Sequence, residues 1–216
     1  MSIKEHNTKK YKIVEYIHSN IFVVENVIDS QTCKNMISDI EKNNSEKLVF
    51  TNGNNVECYK VKNESKITGY FVNKIKELLD ELSFIINIPI NGICDIEIRK
   101  VYGETRLHSD GTCPNIALHP TRNHSVKLIR SLTVVGALND DYEGGEYNFP
   151  SQNLKIKLKA GSFIFFPPYW THPHSVSKII KIPNCNEYRY IVSTWAIDNS
   201  FIKYDDDVDI NNIIVL

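Results

Sequence analysis

The spacing of apolar residues changes character near Pro89. Before it they recur at helical intervals. Cys33, Met36, Ile37 and Ile40 follow Asp29-Ser30-Gln31, a good helix start, and predict a first helix with one buried stripe. From about Ser65 to Leu82, Phe71, Val72, Ile75, Leu78, Leu79 and Leu82 again make one stripe and predict a second. Ile21–Val24 is a short strand-like run, and the first twenty residues are polar and irregular. Beyond Pro89 the apolar runs shorten and are separated by Gly, Asn, Asp and Pro. Cys94–Val101, Ser131–Leu138, Glu146–Phe149, Leu154–Leu158, Ser162–Phe166 and Tyr188–Ile197 read as strands of an antiparallel sandwich or jelly roll. The pattern predicts an α+β, mainly β protein in which N-terminal helices pack against the major sheet.

A length of 216 residues suits one domain with a full core. Its expected parts are an N-terminal strand with supporting helices over 1–90, a β core over 91–200 and an acidic tail over 201–216. The tail carries Asp205, Asp206, Asp207 and Asp209 but lacks the Gly and distal Glu of a calcium loop. Net charge is −1, with 25 Lys and Arg against 26 Asp and Glu, which argues against a nucleic-acid partner. No run approaches the ~20 apolar residues of a membrane helix, and no signal-peptide core opens the chain, so an intracellular, cytoplasmic protein is expected. Five cysteines without a CxxC pair favour reduced thiols.

Candidate chemistry centres on His108-Ser109-Asp110. Residues i and i+2 of an extended segment share a face, so an imidazole and a carboxylate stand side by side there. A third ligand has to come from another strand. His174, heading the extended segment His174-Ser175-Val176, is preferred to His172, which lies in the turn before Pro173. Two histidines and one carboxylate leave metal positions open, the facial arrangement that suits Fe(II) oxygen chemistry. Alone, HxD is a weak pattern, and a lone His beside a strand is more often structural than a ligand. In Tyr188–Trp195, alternation puts Arg189, Ile191, Ser193 and Trp195 on one face. A cation beside Ile and Trp makes sense if a carboxylate arrives to pair with it, and Ser193 could add a hydrogen bond. The competing reading is an edge-strand arginine paired with a surface acid.

Taken in order, these pieces resemble a known family. Val101-Tyr102-Gly103 leads into His108-Ser109-Asp110. Ser131-Leu132-Thr133 through Leu138-Asn139 follows, then Gly144-Gly145-Glu146, Gly161–Pro167, Pro173–Val176, and Arg189-Tyr190 with Trp195. This set is similar to the double-stranded β-helix core of Fe(II)/2-oxoglutarate-dependent dioxygenases, specifically the prolyl 4-hydroxylase-like branch. Val27–Ile37 is similar to the opening of those hydroxylases. The resemblance implies that His108, Asp110 and His174 bind Fe(II) and form the catalytic centre. It implies that Arg189 binds the distal carboxylate of 2-oxoglutarate, assisted by Ser193 and Thr133, and that Tyr102 lines the cosubstrate pocket. Collagen-type members carry Lys where Arg189 stands. A tyrosine that contacts 2-oxoglutarate in some Arg-bearing relatives is Ala137 here.

The implied reaction is hydroxylation of a C–H bond with O₂, releasing succinate and CO₂, with ascorbate as reductant. A peptidyl proline in a protein or peptide partner is the first expectation. Lysine, another peptidyl residue, a free amino acid, or a non-catalytic cupin-like metal module are the alternatives. Tyr169 and Trp170 are candidates for an aromatic wall against substrate, or for packing under a loop. The stretch Gly111–Arg130, with His119 and His124, is long enough for a substrate lid.

Overall fold

A computed structural model of the chain describes residues 2–42, 46–49, 57–60, 66–88, 90, 92–94, 96–112, 115–118, 125–180, 183, 186–198 and 213–215. The elements in chain order are β1 (Ile3–Asn7), β2 (Lys12–Tyr16), β3 (Ile21–Val24), α1 (Ser30–Lys42), β4 (Glu46–Val49), β5 (Glu57–Lys60) and α2 (Lys66–Ile86). They continue with β6 (Gly92–Cys94), β7 (Glu97–Tyr102), β8 (Thr105–His108), β9 (Asn115–Leu118), β10 (Ser125–Ala137), β11 (Tyr147–Phe149) and β12 (Leu154–Ile156). The last are β13 (Phe163–Phe166), β14 (His174–Val176), β15 (Arg189–Asp198) and β16 (Ile213–Val215).

Two sheets carry the core. The major one runs β1-β2-β3-β13-β10-β15-β7-β5-β4, with β6, β9 and β16 attached, and the minor one runs β12-β11-β14-β8. Alternation along each central strand divides its side chains between two apolar layers. Phe163 and Phe165 of β13, Leu132 and Val134 of β10, and Tyr190, Val192 and Ala196 of β15 face the helices. Ile164 and Phe166, Val135 and Ala137, and Ile191 face the minor sheet, where they meet Tyr147, Phe149, Ile156 and Val176. Strands buried on both faces have no polar side to show, so β3 and β13 read as the unbroken runs Ile-Phe-Val-Val and Phe-Ile-Phe-Phe.

Both helices fit the sequence pattern. Asp29 caps α1, its carboxylate accepting the Thr32 backbone N–H at 2.8 Å and the Thr32 hydroxyl at 2.6 Å. Cys33, Met36 and Ile40 of α1, with Phe71, Ile75, Leu78, Leu79 and Leu82 of α2, form the helical side of the first layer. The α2 helix continues one turn past Leu82, to Ile86. Cys33 and Cys94 are buried, and burial pushes the Cys33 thiol up to about 11.

Three expectations need correction. The first twenty residues are not irregular: β1 and β2 form a hairpin that extends the sheet beyond β3. Most of β1 is exposed, so its side chains need no apolar alternation. The stretch 111–130 is not a plain loop, because β9 pairs with Ser125–Leu128 of a β10 that begins well before Ser131. His119 and His124 lie outside the described residues. Within 201–216, β16 pairs with β6 rather than belonging to a solvated tail, while Asp205–Asp209 lie outside the described residues.

Candidate metal centre and anion pocket

Antiparallel pairing of β14 with β8 sets His174 directly opposite His108. Their rings lie 4.4 Å apart. The chain turns after β8 into a short 3-10 segment, Asp110–Thr112, which brings the Asp110 carboxylate back over both rings. His108 Nε2 lies 3.3 Å from Asp110 Oδ1, and His174 Nε2 lies 3.7 Å from Oδ2. One donor atom from each of the three residues falls within 4.8 Å of the others.

The surrounding hydrogen bonds prepare both imidazoles to coordinate. His108 Nδ1 is 2.8 Å from the Arg106 carbonyl, and His174 Nδ1 is 3.1 Å from that of His172. A carbonyl can only accept, so each Nδ1 carries the proton and each Nε2 lone pair is turned toward the cluster. His174 packs edge-on to Phe166 and beside Phe149, and burial lowers its pKa, favouring the neutral ligand form. For His108 burial acts the same way, but the adjacent Asp110 outweighs it and raises the pKa. Burial pushes the Asp110 carboxyl up. The neighbouring imidazoles of His108 and His174 and the Thr133 hydroxyl prevail and hold it well below the usual carboxylate range.

His172 has a different task. Its Nε2 lies 2.6 Å from the Ser19 carbonyl and its Nδ1 2.9 Å from the Thr171 hydroxyl, so both nitrogens are engaged away from the cluster.

Arg189 starts β15 on the face toward the minor sheet and is 4% exposed. Its Nε and Nη1 are buried without a hydrogen-bond partner among the described residues. The guanidinium carbon stands 5.3 Å from the ring centroid of Tyr147, itself buried. Unsatisfied buried N–H groups on a cation are costly, and they are satisfied if a carboxylate enters. Ser193 shares that face, is buried, and donates a long 3.5 Å bond to the Glu97 carbonyl. Thr133 is placed elsewhere than at Arg189: its hydroxyl donates to Asp110 Oδ2 at 2.7 Å. Tyr102 does not join Arg189 either. Val101 pairs with Arg189 and shares its face, so Tyr102 points to the opposite side, 38% exposed against Tyr188. Tyr169 is half-buried and donates to the Arg130 carbonyl at 2.6 Å, whereas Trp170 is 78% exposed.

The sequence reading missed Arg130, Tyr147 and the ion pair between Arg99 and Glu97. Arg130 Nη1 donates to the Asp110 carbonyl at 2.7 Å. Arg99 and Glu97 stand on the β7 face shared with Ile191 and Ser193. The alternation of β7 could have flagged them, since both fall on the same face as the buried Val101.

The donor set suits Fe(II): two imidazoles and an ionised carboxylate converge, with His108 partly exposed. Arg189 suits the distal acid group of 2-oxoglutarate. A double-stranded β-helix with this triad and a buried arginine defines a non-haem iron oxygenase. Residues 99–197 match the model of the 2OG-Fe(II) oxygenase superfamily. No curated protein matches the chain in sequence.

Several solved structures share the fold. A viral collagen prolyl hydroxylase from Paramecium bursaria Chlorella virus-1, solved with 2-oxoglutarate, is 20% identical, with a TM-score of 0.60 over 83% of this chain and 97% of its own. A prolyl hydroxylase from Trichoplax adhaerens, in complex with a hypoxia inducible factor peptide fragment, is 14% identical, with a TM-score of 0.62 over 85% and 86%. A prolyl-4-hydroxylase from Pseudomonas putida is 13% identical, with a TM-score of 0.58 over 84% and 94%. Among the described residues no helix is long and apolar enough to cross a membrane.

Proposed function

We propose that the protein hydroxylates a C–H bond of a peptide substrate, with peptidyl proline as the first choice. The observation that carries the reading is the His108–Asp110–His174 cluster on the same inner surface as Arg189, whose buried Nε and Nη1 have no hydrogen-bond partner among the described residues. When bound, Fe(II) with 2-oxoglutarate and O₂ supplies the oxidising power, and the cosubstrate leaves as succinate and CO₂. Ascorbate is the expected reductant.

The chain's own residues bind, orient and exclude water. His108 and His174 present Nε2 lone pairs fixed by their Nδ1 hydrogen bonds, so the rings do not swing as ligands exchange. Thr133 holds Asp110 Oδ2 and fixes the orientation of the carboxylate. Arg189 binds the distal carboxylate of 2-oxoglutarate in a pocket dried by Tyr147 and Ile191, where a charge-assisted bond is strong. Ser193 stands on the same face one inward position beyond Ile191 and assists the same group. The exposed Trp170, beside the turn into His174, is available to a proline ring. Likeness of fold to prolyl hydroxylases, one of them solved with a peptide, supports this substrate class.

A second reading draws on Arg99 and Glu97. A charged pair on the inner face, close enough for Arg99 to lower the pKa of His108, favours a substrate with a charged group, such as a lysyl side chain or a free amino acid. One measurement separates the two. Mass spectrometry would search for a +16 product across proline-rich peptides, lysine-rich peptides and free amino acids, with Fe(II), 2-oxoglutarate and ascorbate. Product on the proline peptides alone upholds the first reading. Product confined to lysine or free amino acids replaces it.

A further inference from the structure

We propose that Arg130 and Trp195 form a positioning device for Asp110, acting on the backbone that carries the carboxylate. The inference rests on the reading of His108, Asp110 and His174 as a metal site. Arg130 Nη1 donates to the Asp110 carbonyl at 2.7 Å, while the guanidinium carbon lies 3.7 Å from the ring centroid of Trp195. A second grip comes from the turn that leads to His174. Gly111 N–H donates to the Pro168 carbonyl at 2.6 Å, and the Tyr169 hydroxyl donates to the Arg130 carbonyl at 2.6 Å. A Cβ on Gly111 would stand 2.7 Å from the Tyr169 ring, so this approach requires glycine.

An irregularity in β10 makes the device possible. Arg130 and Thr133 are three residues apart and in a regular strand would face opposite sides of the sheet. Pairing with β15 instead places Arg130 opposite Ile197 and Leu132 opposite Ala196, so one extra residue is inserted between them. This bulge re-aims Arg130 to the face of Thr133. One strand thus reaches Asp110 twice, at its carbonyl through Arg130 and at its Oδ2 through Thr133. Trp195, opposite Thr133 on β15, is the surface on which the guanidinium rests. A planar guanidinium stacks on a ring and donates in its own plane at the same time, whereas a lysine ammonium offers no such plane. The device therefore specifies Arg and not merely positive charge.

The test titrates Co(II) into the chelator-stripped full chain and follows affinity and the visible d–d absorption. Wild type is compared with Arg130→Ala, Arg130→Lys and Trp195→Leu, and thermal unfolding and circular dichroism report the fold. Loss of an outer-shell partner commonly costs about 10–100-fold in metal affinity, and Arg130→Ala is expected in that range with an altered absorption band. Arg130→Lys is expected to recover only part of the loss, and Trp195→Leu to fall between wild type and Arg130→Ala. A merely structural role would lower stability without changing the spectrum of the folded protein. Folded Arg130→Ala with wild-type affinity and spectrum would overturn the proposal. If that variant does not fold, Arg130→Lys decides, and wild-type values for it overturn the requirement for Arg. If wild type itself does not bind Co(II), the metal-site reading falls and the proposal with it.

Discussion

At Asp110 burial and charge pull in opposite directions. Burial disfavours the anion, yet His108, His174 and the Thr133 hydroxyl keep the carboxyl ionised, so it is ready to bind a cation. Replacing His108 or Asp110 with Ala should abolish Fe(II)-dependent succinate release from 2-oxoglutarate. Full turnover in either variant would disprove the iron assignment. Arg189 is the opposite case, a buried cation whose Nε and Nη1 find no hydrogen-bond partner among the described residues. Arg189→Ala should raise the 2-oxoglutarate requirement by about tenfold or more, as loss of ~1.4 kcal/mol of binding implies. An unchanged KM for 2-oxoglutarate removes Arg189 from this role. Residue spacing together with the family resemblance pointed to His108, Asp110, His174 and Arg189. It did not point to Arg130, because that side chain reaches Asp110 only through a bulge that pairing with β15 creates.

Among the elements, the helices were the most legible, since an amphipathic stripe has to be buried and the sheet is the surface available to bury it. The α2 stripe is continuous from Phe71 to Leu82, and Leu78 is completely buried against the sheet. Leu78→Ala should cost about 2–5 kcal/mol, the usual range for emptying such a site. Urea denaturation measures this, and a loss under ~1 kcal/mol would mean that the helix does not form this layer. The buried strands were legible for a related reason: β13 meets apolar surface on both sides, so its run is unbroken. Exposed elements gave weaker signals. The residues of β1 face water on nearly all sides, and pairing with β2 defines the strand instead. Gly144 and Gly145, in one of the pieces that carry the family resemblance, both adopt positive φ, 75° and 72°.

At the scale of the molecule, the site depends on closure of the minor sheet over the major one. The ligands come from β8, the turn after it and β14, all at one end of the minor sheet, while Thr133 and Arg189 come from the major sheet. A ligand that bridges such surfaces stabilises the folded state by mass action, worth ~2.7 kcal/mol at a hundred times its Kd. Mn(II) with 2-oxoglutarate should therefore raise the thermal midpoint of wild type and leave that of Asp110→Ala unmoved. Equal shifts in both would place the binding elsewhere. The sequence by itself determined the helical stripes, the buried strands, and the order in which His108, Asp110, His174 and Arg189 occur. These follow from local periodicity and residue chemistry, which act over a few positions. Tertiary structure decided which histidine nitrogens face the cluster, that Thr133 serves Asp110 rather than Arg189, that Tyr102 turns away, and that Arg130 grips the metal-binding segment. Each of these depends on strand register, and a shift of one residue reverses every side chain to the other face.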